Sequence, residues 1–197
     1  LFGAATERPQ GRIELLGQSV MFRHPREACR AGIALVTEDR KRFGLILEQT
    51  ILDNMTLAGL KRISGVFLTN RTRETIAARG PMQSLRVKAN SPLTVAGTLS
   101  GGNQQKVVLS KWLFTAPDIL ILDEPTRGID VGAKYEIYGI INQLAEAGKA
   151  VIVISSEMPE LLGISDRIYV MNEGKFVAEM PTSEATQEKI MRAIMKS

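Results

Sequence analysis

Apolar positions along this chain follow three distinct patterns. Unbroken aliphatic runs occur at Ile33-Ala34-Leu35-Val36, Ile119-Leu120-Ile121-Leu122 and Val151-Ile152-Val153-Ile154. Short runs of this kind predict strands covered on both faces, the habit of a parallel sheet. Alternation appears in residues 11–17, bracketed by Gly11 and Gly17, and predicts one strand of a small antiparallel sheet. It recurs in residues 167–171 and 175–179, which predict a hairpin across Asn172, Glu173 and Gly174. The third pattern is helical. Residues 25–31 start on Pro25 and stop at Gly32, and residues 133–147 stop at Gly148. Ile51, Leu52, Met55, Leu57 and Leu60 carry helical spacing, and residues 72–85 form a second, more polar candidate. Gly65, Asn70, Gly80 and Pro81 punctuate this stretch, giving an all-helical insert within residues 50–90. A helix is expected over 101–115, ending before Pro117. Val107, Val108, Leu109, Trp112, Leu113 and Phe114 cover more than one of its faces, so it should lie between layers. Residues 159–163 and 186–195 read as short helices, and residues 1–10 as a helix tail leaving through a turn at Pro9. Strands alternating with helices argue an α/β fold with a right-handed parallel core.

Composition narrows the class. The 197 residues suffice for one domain with a real core. Apolar residues make up 44% and charged residues 23%, ordinary values for a globular protein, and no apolar stretch approaches the roughly 20 residues that span a bilayer. The net charge of +4 is mild. The basic run Arg40-Lys41-Arg42 stands alone without interleaved aromatics, so it reads as a solvated, phosphate-facing or partner-facing loop rather than a nucleic-acid patch. The single Cys29 excludes an internal disulfide and reads as a small packed hydrophobe. The lone His24 precedes Pro25 and reads as a turn residue, with no Cys or His near it to complete a metal site. The chain starts at Leu1 rather than Met, and a fragment is expected.

Candidate chemistry sits in two places. Leu99-Ser100-Gly101-Gly102-Asn103-Gln104-Gln105 is a glycine-rich turn opening a helix, where unpaired backbone N–H groups and the helix dipole suit an anionic phosphate. Capping by Ser100 alone does not account for two successive glycines, which are poor helix formers. Further on, the run 119–122 ends in Asp123-Glu124-Pro125-Thr126, which brings two carboxylates to the C-terminal edge of a parallel strand. Asp123 is placed to hold Mg²⁺ through water, and Glu124 to polarise an attacking water as general base. No G-x-x-x-x-G-K-[ST] phosphate loop occurs in the chain.

Residues 99–105 together with Leu122-Asp123-Glu124-Pro125-Thr126-Arg127-Gly128-Ile129-Asp130-Val131-Gly132-Ala133-Lys134 resemble the signature, Walker B and D-loop of an ATP-binding-cassette (ABC) ATPase. Glu38-Asp39-Arg40-Lys41-Arg42 with Gly44-Leu45, and Ser155-Ser156-Glu157-Met158-Pro159-Glu160-Leu161-Leu162-Gly163, resemble the second cassette of the tandem ATPases of bacterial ribose-, galactose- and xylose-type importers. The likeness runs from near residue 10 to the C-terminus. It implies a P-loop NTPase-like cassette with a mostly parallel core sheet, a small antiparallel part and a helical subdomain over about 50–115. Residues 1–197 would then be a partial ABC ATPase domain lacking its phosphate-loop segment. The implied ligands are ATP and Mg²⁺. Ser100, Gly101, Gly102 and Gln104 would face nucleotide bound on an opposing first cassette, in the same parent chain or a homodimer, and Asp130 would contact that cassette or cap the next helix. The helical subdomain would dock on transmembrane permease subunits, with an extracytoplasmic sugar-binding protein as an indirect partner and the whole peripheral to the cytoplasmic face of the membrane. No nucleic acid is implied.

Two positions depart from that pattern. Ser156 stands where the family carries a switch histidine, and a hydroxyl cannot do the work of an imidazole. Glu38 stands at the position of the Q-loop glutamine, an added negative charge that a metal or an arginine has to balance, Arg40 being one candidate. The resemblance therefore implies a degenerate cassette that lends its signature to a site completed elsewhere. Rival readings are a non-catalytic remnant that only pairs or docks, and a DNA-associated SMC-type head, against which the absence of sustained heptads before the signature counts.

Overall fold

Leu16 and Gly17 both take left-handed backbone angles, φ 52° and 77°, and this divides the first alternating stretch in two. The result is β1 (Ile13–Leu15) paired antiparallel with β2 (Gln18–Val20), Ile13 opposite Val20. One strand was expected over 11–17. A two-residue turn with positive φ at both central positions matches the right-handed twist of a hairpin, which is why the chain reverses there. In the computed structural model the described residues are 2–4, 11–60 and 71–195, with backbone alone described at 71–73 and 77. The helix tail expected over 1–10 and the breaks at Gly65 and Asn70 lie outside the described residues for the most part. The chain divides into two units, Leu1–Ile152 and Val153–Ser197.

In the first unit, α1 (Pro25–Arg30) has Pro25 at its first turn, and its N-cap is His24, whose Nδ1 accepts from the Arg26 N–H at 3.3 Å. The lone histidine is thus a helix cap. β3 (Ile33–Val36) runs parallel to β4 (Ile119–Asp123), with Ile33 opposite Ile119 and Val36 opposite Leu122. β5 (Ala150–Ile154) follows in the order β3-β4-β5, its first residue donating to the Asp118 carbonyl at 3.0 Å. Leu120 and Leu122 are fully buried. Each such side chain contributes about 1.5–3 kcal/mol by leaving water.

β5 departs from expectation. It was read as a buried strand, but Ile152 and Ile154 are about half exposed, at 47% and 50%. Exposure alternates along β5, falling at residues 150, 152 and 154, so one face of the strand is uncovered, whereas β3 at the other end of the described sheet is buried.

Between β3 and β4 lies the helical part. A π-helical turn, Arg40–Gly44, is capped by Asp39, whose carboxylate accepts from the amides of Lys41 and Arg42. α2 (Ile51–Leu57) begins in a reciprocal capping box of Thr50 and Asp53. α3 (Arg71–Ser84) continues through Gly80 and Pro81. α4 (Gly101–Leu113) is buried along most of its length, as its apolar surface demanded. Trp112 meets Phe2 edge to face at 6.0 Å and belongs to the packing. α5 (Val131–Glu146) buries Ile137, Ile140 and Ile141 and ends at Gly148 with φ 80°. A buried lysine, Lys106, ties α4 to α5 through Glu136 Oε2 at 2.5 Å and also donates to the Arg86 carbonyl at 3.1 Å.

The second unit holds α6 (Met158–Ile164), the hairpin β6 (Arg167–Asn172) and β7 (Lys175–Pro181), and α7 (Gln187–Met195). Ile168 and Val170 point from the hairpin onto Ile190 of α7. The turn at Glu173 and Gly174 is left-handed at both residues, as the sequence predicted for a tight hairpin. No described helix is long and apolar enough to cross a membrane.

Candidate active site

Asp123 is the last residue of β4, and Glu124 follows it with φ 46°. Left-handed backbone is unfavourable for a side-chain-bearing residue by about 1–2 kcal/mol. The turn is closed by the Arg127 N–H on the Glu124 carbonyl at 3.1 Å and by burial of Pro125 and Thr126 beneath it. Partial burial, and then the neighbouring charge of Glu124, push the Asp123 carboxyl above its ordinary range. A nearby cation would relieve that cost, and the carboxylate oxygens of Asp123 are donors of the kind a hard divalent ion such as Mg²⁺ takes. Among the described residues no cluster of three His, Cys, Asp or Glu forms a closed metal cage. An ion that keeps several waters does not need one.

Glu38 lies in the loop after β3, and its carboxylate pairs with Arg127. Arg40 was a candidate for that cation, beside a metal. Instead its Nη1 donates to the Arg127 carbonyl at 2.8 Å and its Nη2 to the Gly128 carbonyl at 3.0 Å. Burial lowers the Arg40 pKa, with Asp39 opposing, and the guanidinium stays charged. The negative charge at Glu38 is therefore balanced from the stretch after β4, across the sheet edge.

At the other end of that stretch, Asp130 caps α5 by accepting from the Ala133 N–H at 2.9 Å. Ser100 stands at the N-cap of α4 without making a side-chain cap bond. Its Oγ accepts from Asn103 Nδ2 at 3.0 Å, and Asn103 Oδ1 accepts from the Lys88 N–H at 2.8 Å. The first turns of α4 and α5 thus border one open cleft of about 200 Å³, lined by Lys88, Ser100, Gly102, Asn103, Asp130 and Glu136 among others. Two helix N-termini facing one cleft give it amide donors and positive dipole ends.

The glycines have a packing role as well. A Cβ on Gly102 would sit 2.4 Å from the Ala133 Cβ, and one on Gly101 would sit 2.8 Å from Arg40 Nη2. Gln104, expected with the binding group, is buried; its Nε2 donates to the Ala96 carbonyl at 3.3 Å, inside the fold. Ser156 is exposed in the second unit. Sequence reasoning passed over Arg127, Asn103 and Lys88. Only Arg127 left a signal, in the demand of Glu38 for a cation.

A family model described as ABC transporter matches residues 1–127. The chain belongs to the ABC transporter family. It is 51% identical over 191 residues to the xylose import ATP-binding protein XylG of Geobacillus kaustophilus, a match covering 97% of this chain and 38% of the relative. It is 56% identical over 171 residues to the L-arabinose transport ATP-binding protein AraG of Geobacillus stearothermophilus, covering 87% of this chain and 33% of that one. The chain therefore spans well under half the length of these relatives. Among solved structures, an ATP-binding cassette of an ABC transporter in its ADP conformation superposes with a TM-score of 0.75 at 21% identity, covering 95% of this chain and 78% of that one. A nucleotide-free cassette gives 0.76 at 21%, covering 100% and 77%. The fold is that of the ATP-binding cassette.

Proposed function

We propose that this chain forms part of the ATP-binding subunit of a monosaccharide importer, where it supplies the signature, Walker B and D-loop. The observation that carries the reading is the cleft bordered by the first turns of α4 and α5, which Ser100, Gly102 and Asp130 all line. The names of the relatives, a xylose and an arabinose transport protein, supply the cargo class. Partner subunits follow from the same reading: a first cassette, a transmembrane permease on whose cytoplasmic face the chain lies, and indirectly an extracytoplasmic sugar-binding protein.

The chemistry is phosphoryl transfer from ATP to water. Ser100 donates its hydroxyl, and Gly101 and Gly102 their amides, to the γ-phosphate of a nucleotide seated on the opposing cassette, stabilising charge as it develops. Mg²⁺, when bound, neutralises phosphate charge, and Asp123 is the residue to hold it through water. Glu124 accepts the proton of the attacking water. Ser156 in place of an imidazole weakens the site built on this chain's own carboxylates, so the signature matters more for turnover than Glu124 does. The same substitution favours the second reading, a cassette that pairs without affecting turnover.

The test is ATP hydrolysis by the full parent protein. Ser100→Arg fills the cleft without touching the Gly102 packing and is expected to abolish turnover, while Glu124→Gln lowers it less. The reverse order would show the roles exchanged. ATP-dependent pairing with no effect of either variant would favour the non-catalytic reading.

A further inference from the structure

Arg40 stands where three segments meet. It leaves the π-helical turn after β3, and its planar fork reaches two successive carbonyls, those of Arg127 and Gly128. Its Nη2 also lies against the start of α4, close enough that a Cβ on Gly101 would strike it. Its Nε is buried without an acceptor among the described residues. In the other direction the Arg127 side chain returns to Glu38. The loop after β3 and the stretch after β4 are therefore linked reciprocally, each sending a guanidinium to the other.

The stretch so held has little regular support of its own. It begins at Glu124 and passes through Gly128, both left-handed, φ 46° and 65°. Glu124 leads it and Asp130 closes it as the cap of α5. We propose that Arg40 is a positioning residue for nucleotide turnover, fixing the backbone at Arg127 and Gly128 so that the Glu124 carboxylate and the α4–α5 cleft keep their relative placement. Two parallel N–H donors on adjacent carbonyls need the guanidinium plane, and a lysine ammonium can hold only one of them well. The link to turnover rests on the function proposed above; the grip on the backbone does not.

The experiment uses the full parent protein with the Arg40→Ala and Arg40→Lys variants. Amide hydrogen exchange is followed at residues 126–131, beside steady-state ATP hydrolysis and a thermal melt. Arg40→Ala is expected to speed exchange at these amides about tenfold. It should lower kcat by about 10–100-fold, the scale of a small misplacement of catalytic groups, with KM for ATP nearly unchanged. Arg40→Lys should fall between it and the parent in both, and carries the test if the alanine variant melts below assay temperature. Unchanged exchange in both variants would overturn the proposal, as would faster exchange with unaltered kcat. A loss expressed in KM alone would make Arg40 a ligand contact and also overturn it. If the unsubstituted parent hydrolyses no ATP, the functional reading fails and the role in turnover with it, while exchange still decides whether Arg40 holds the turn.

Discussion

Gly102 on α4 and Ala133 on α5 are packed so closely that a single added methyl would place two Cβ atoms 2.4 Å apart. The helix-start glycine thus sets the distance between the two helices whose first turns border the cleft, whatever else its amide does.

Gly102→Ala should destabilise the protein. The intrinsic helix preference of alanine, worth about 1 kcal/mol over glycine, opposes an overpacking cost of about 1–3 kcal/mol. The net loss is expected to be about 1 kcal/mol, read from urea unfolding. A Cβ on Gly101 would meet Arg40 Nη2 at 2.8 Å and the Gly128 carbonyl oxygen at 3.2 Å, looser approaches than the 2.4 Å to Ala133, so Gly101→Ala should cost less. Equal losses at both positions would show that contact with Ala133 is not what restricts residue 102.

Glu136 partners the buried ammonium of Lys106, and the hydrogen bond from Lys106 holds its carboxyl below the ordinary value of 4.5. A depressed carboxyl pKa contributes stability that is present above the unfolded pKa and lost as pH falls through the folded one. Glu136→Gln should therefore destabilise at neutral pH, with the difference from the parent shrinking below about pH 4.5. Breaking a fully buried pair costs about 3–5 kcal/mol; Glu136 is 40% exposed and screened by water, so about 1–2 kcal/mol is expected. Unfolding free energies measured across pH 3–7 check both the size and the acid convergence.

Glu124 holds a left-handed conformation that glycine adopts without steric cost. Replacement by Gly and by Ala removes the same carboxylate, so the two variants differ in the backbone. Glu124→Gly should be more stable than Glu124→Ala by about 0.5–1 kcal/mol, the αL penalty less the extra freedom of glycine in the unfolded chain. Both should lose whatever the carboxylate contributes to hydrolysis. Equal stabilities would mean that the turn relaxes once the side chain is gone.

The 197-residue chain assayed alone with Mg²⁺ and ATP is expected to show no measurable hydrolysis, because its sequence contains no phosphate loop to grip the triphosphate. Steady phosphate release from the purified chain would show that hydrolysis proceeds without a phosphate loop.

The elements that sequence located well are those whose signals lie within a few neighbouring residues. The aliphatic runs at 33–36 and 119–122 became parallel strands, Gly32 and Gly148 ended helices in left-handed conformation, and Asp123 and Glu124 stand at the strand edge where the run stops. The alternation at 11–17 was read correctly as extended chain but not as a reversal, since Leu16 is an unusual residue for positive φ. The run 151–154 looked the same as its buried counterparts, and an aliphatic run holds no record of which of its faces other elements will cover.

Sequence by itself thus determined the α/β class, the helix ends, the strand that carries the carboxylates and the family, because stereochemistry and hydrophobic period act between near neighbours along the chain. Only the tertiary structure decided that Glu38 takes Arg127 as its cation, that Arg40 grips the carbonyls of Arg127 and Gly128, that Gly102 is small for the sake of Ala133, and that Gln104 turns inward. Most of these relationships join residues distant along the chain, and they come into being when folding brings the ends of β3 and β4 and the first turns of α4 and α5 together. A charge or a glycine states that it needs something nearby; which group answers is settled by packing.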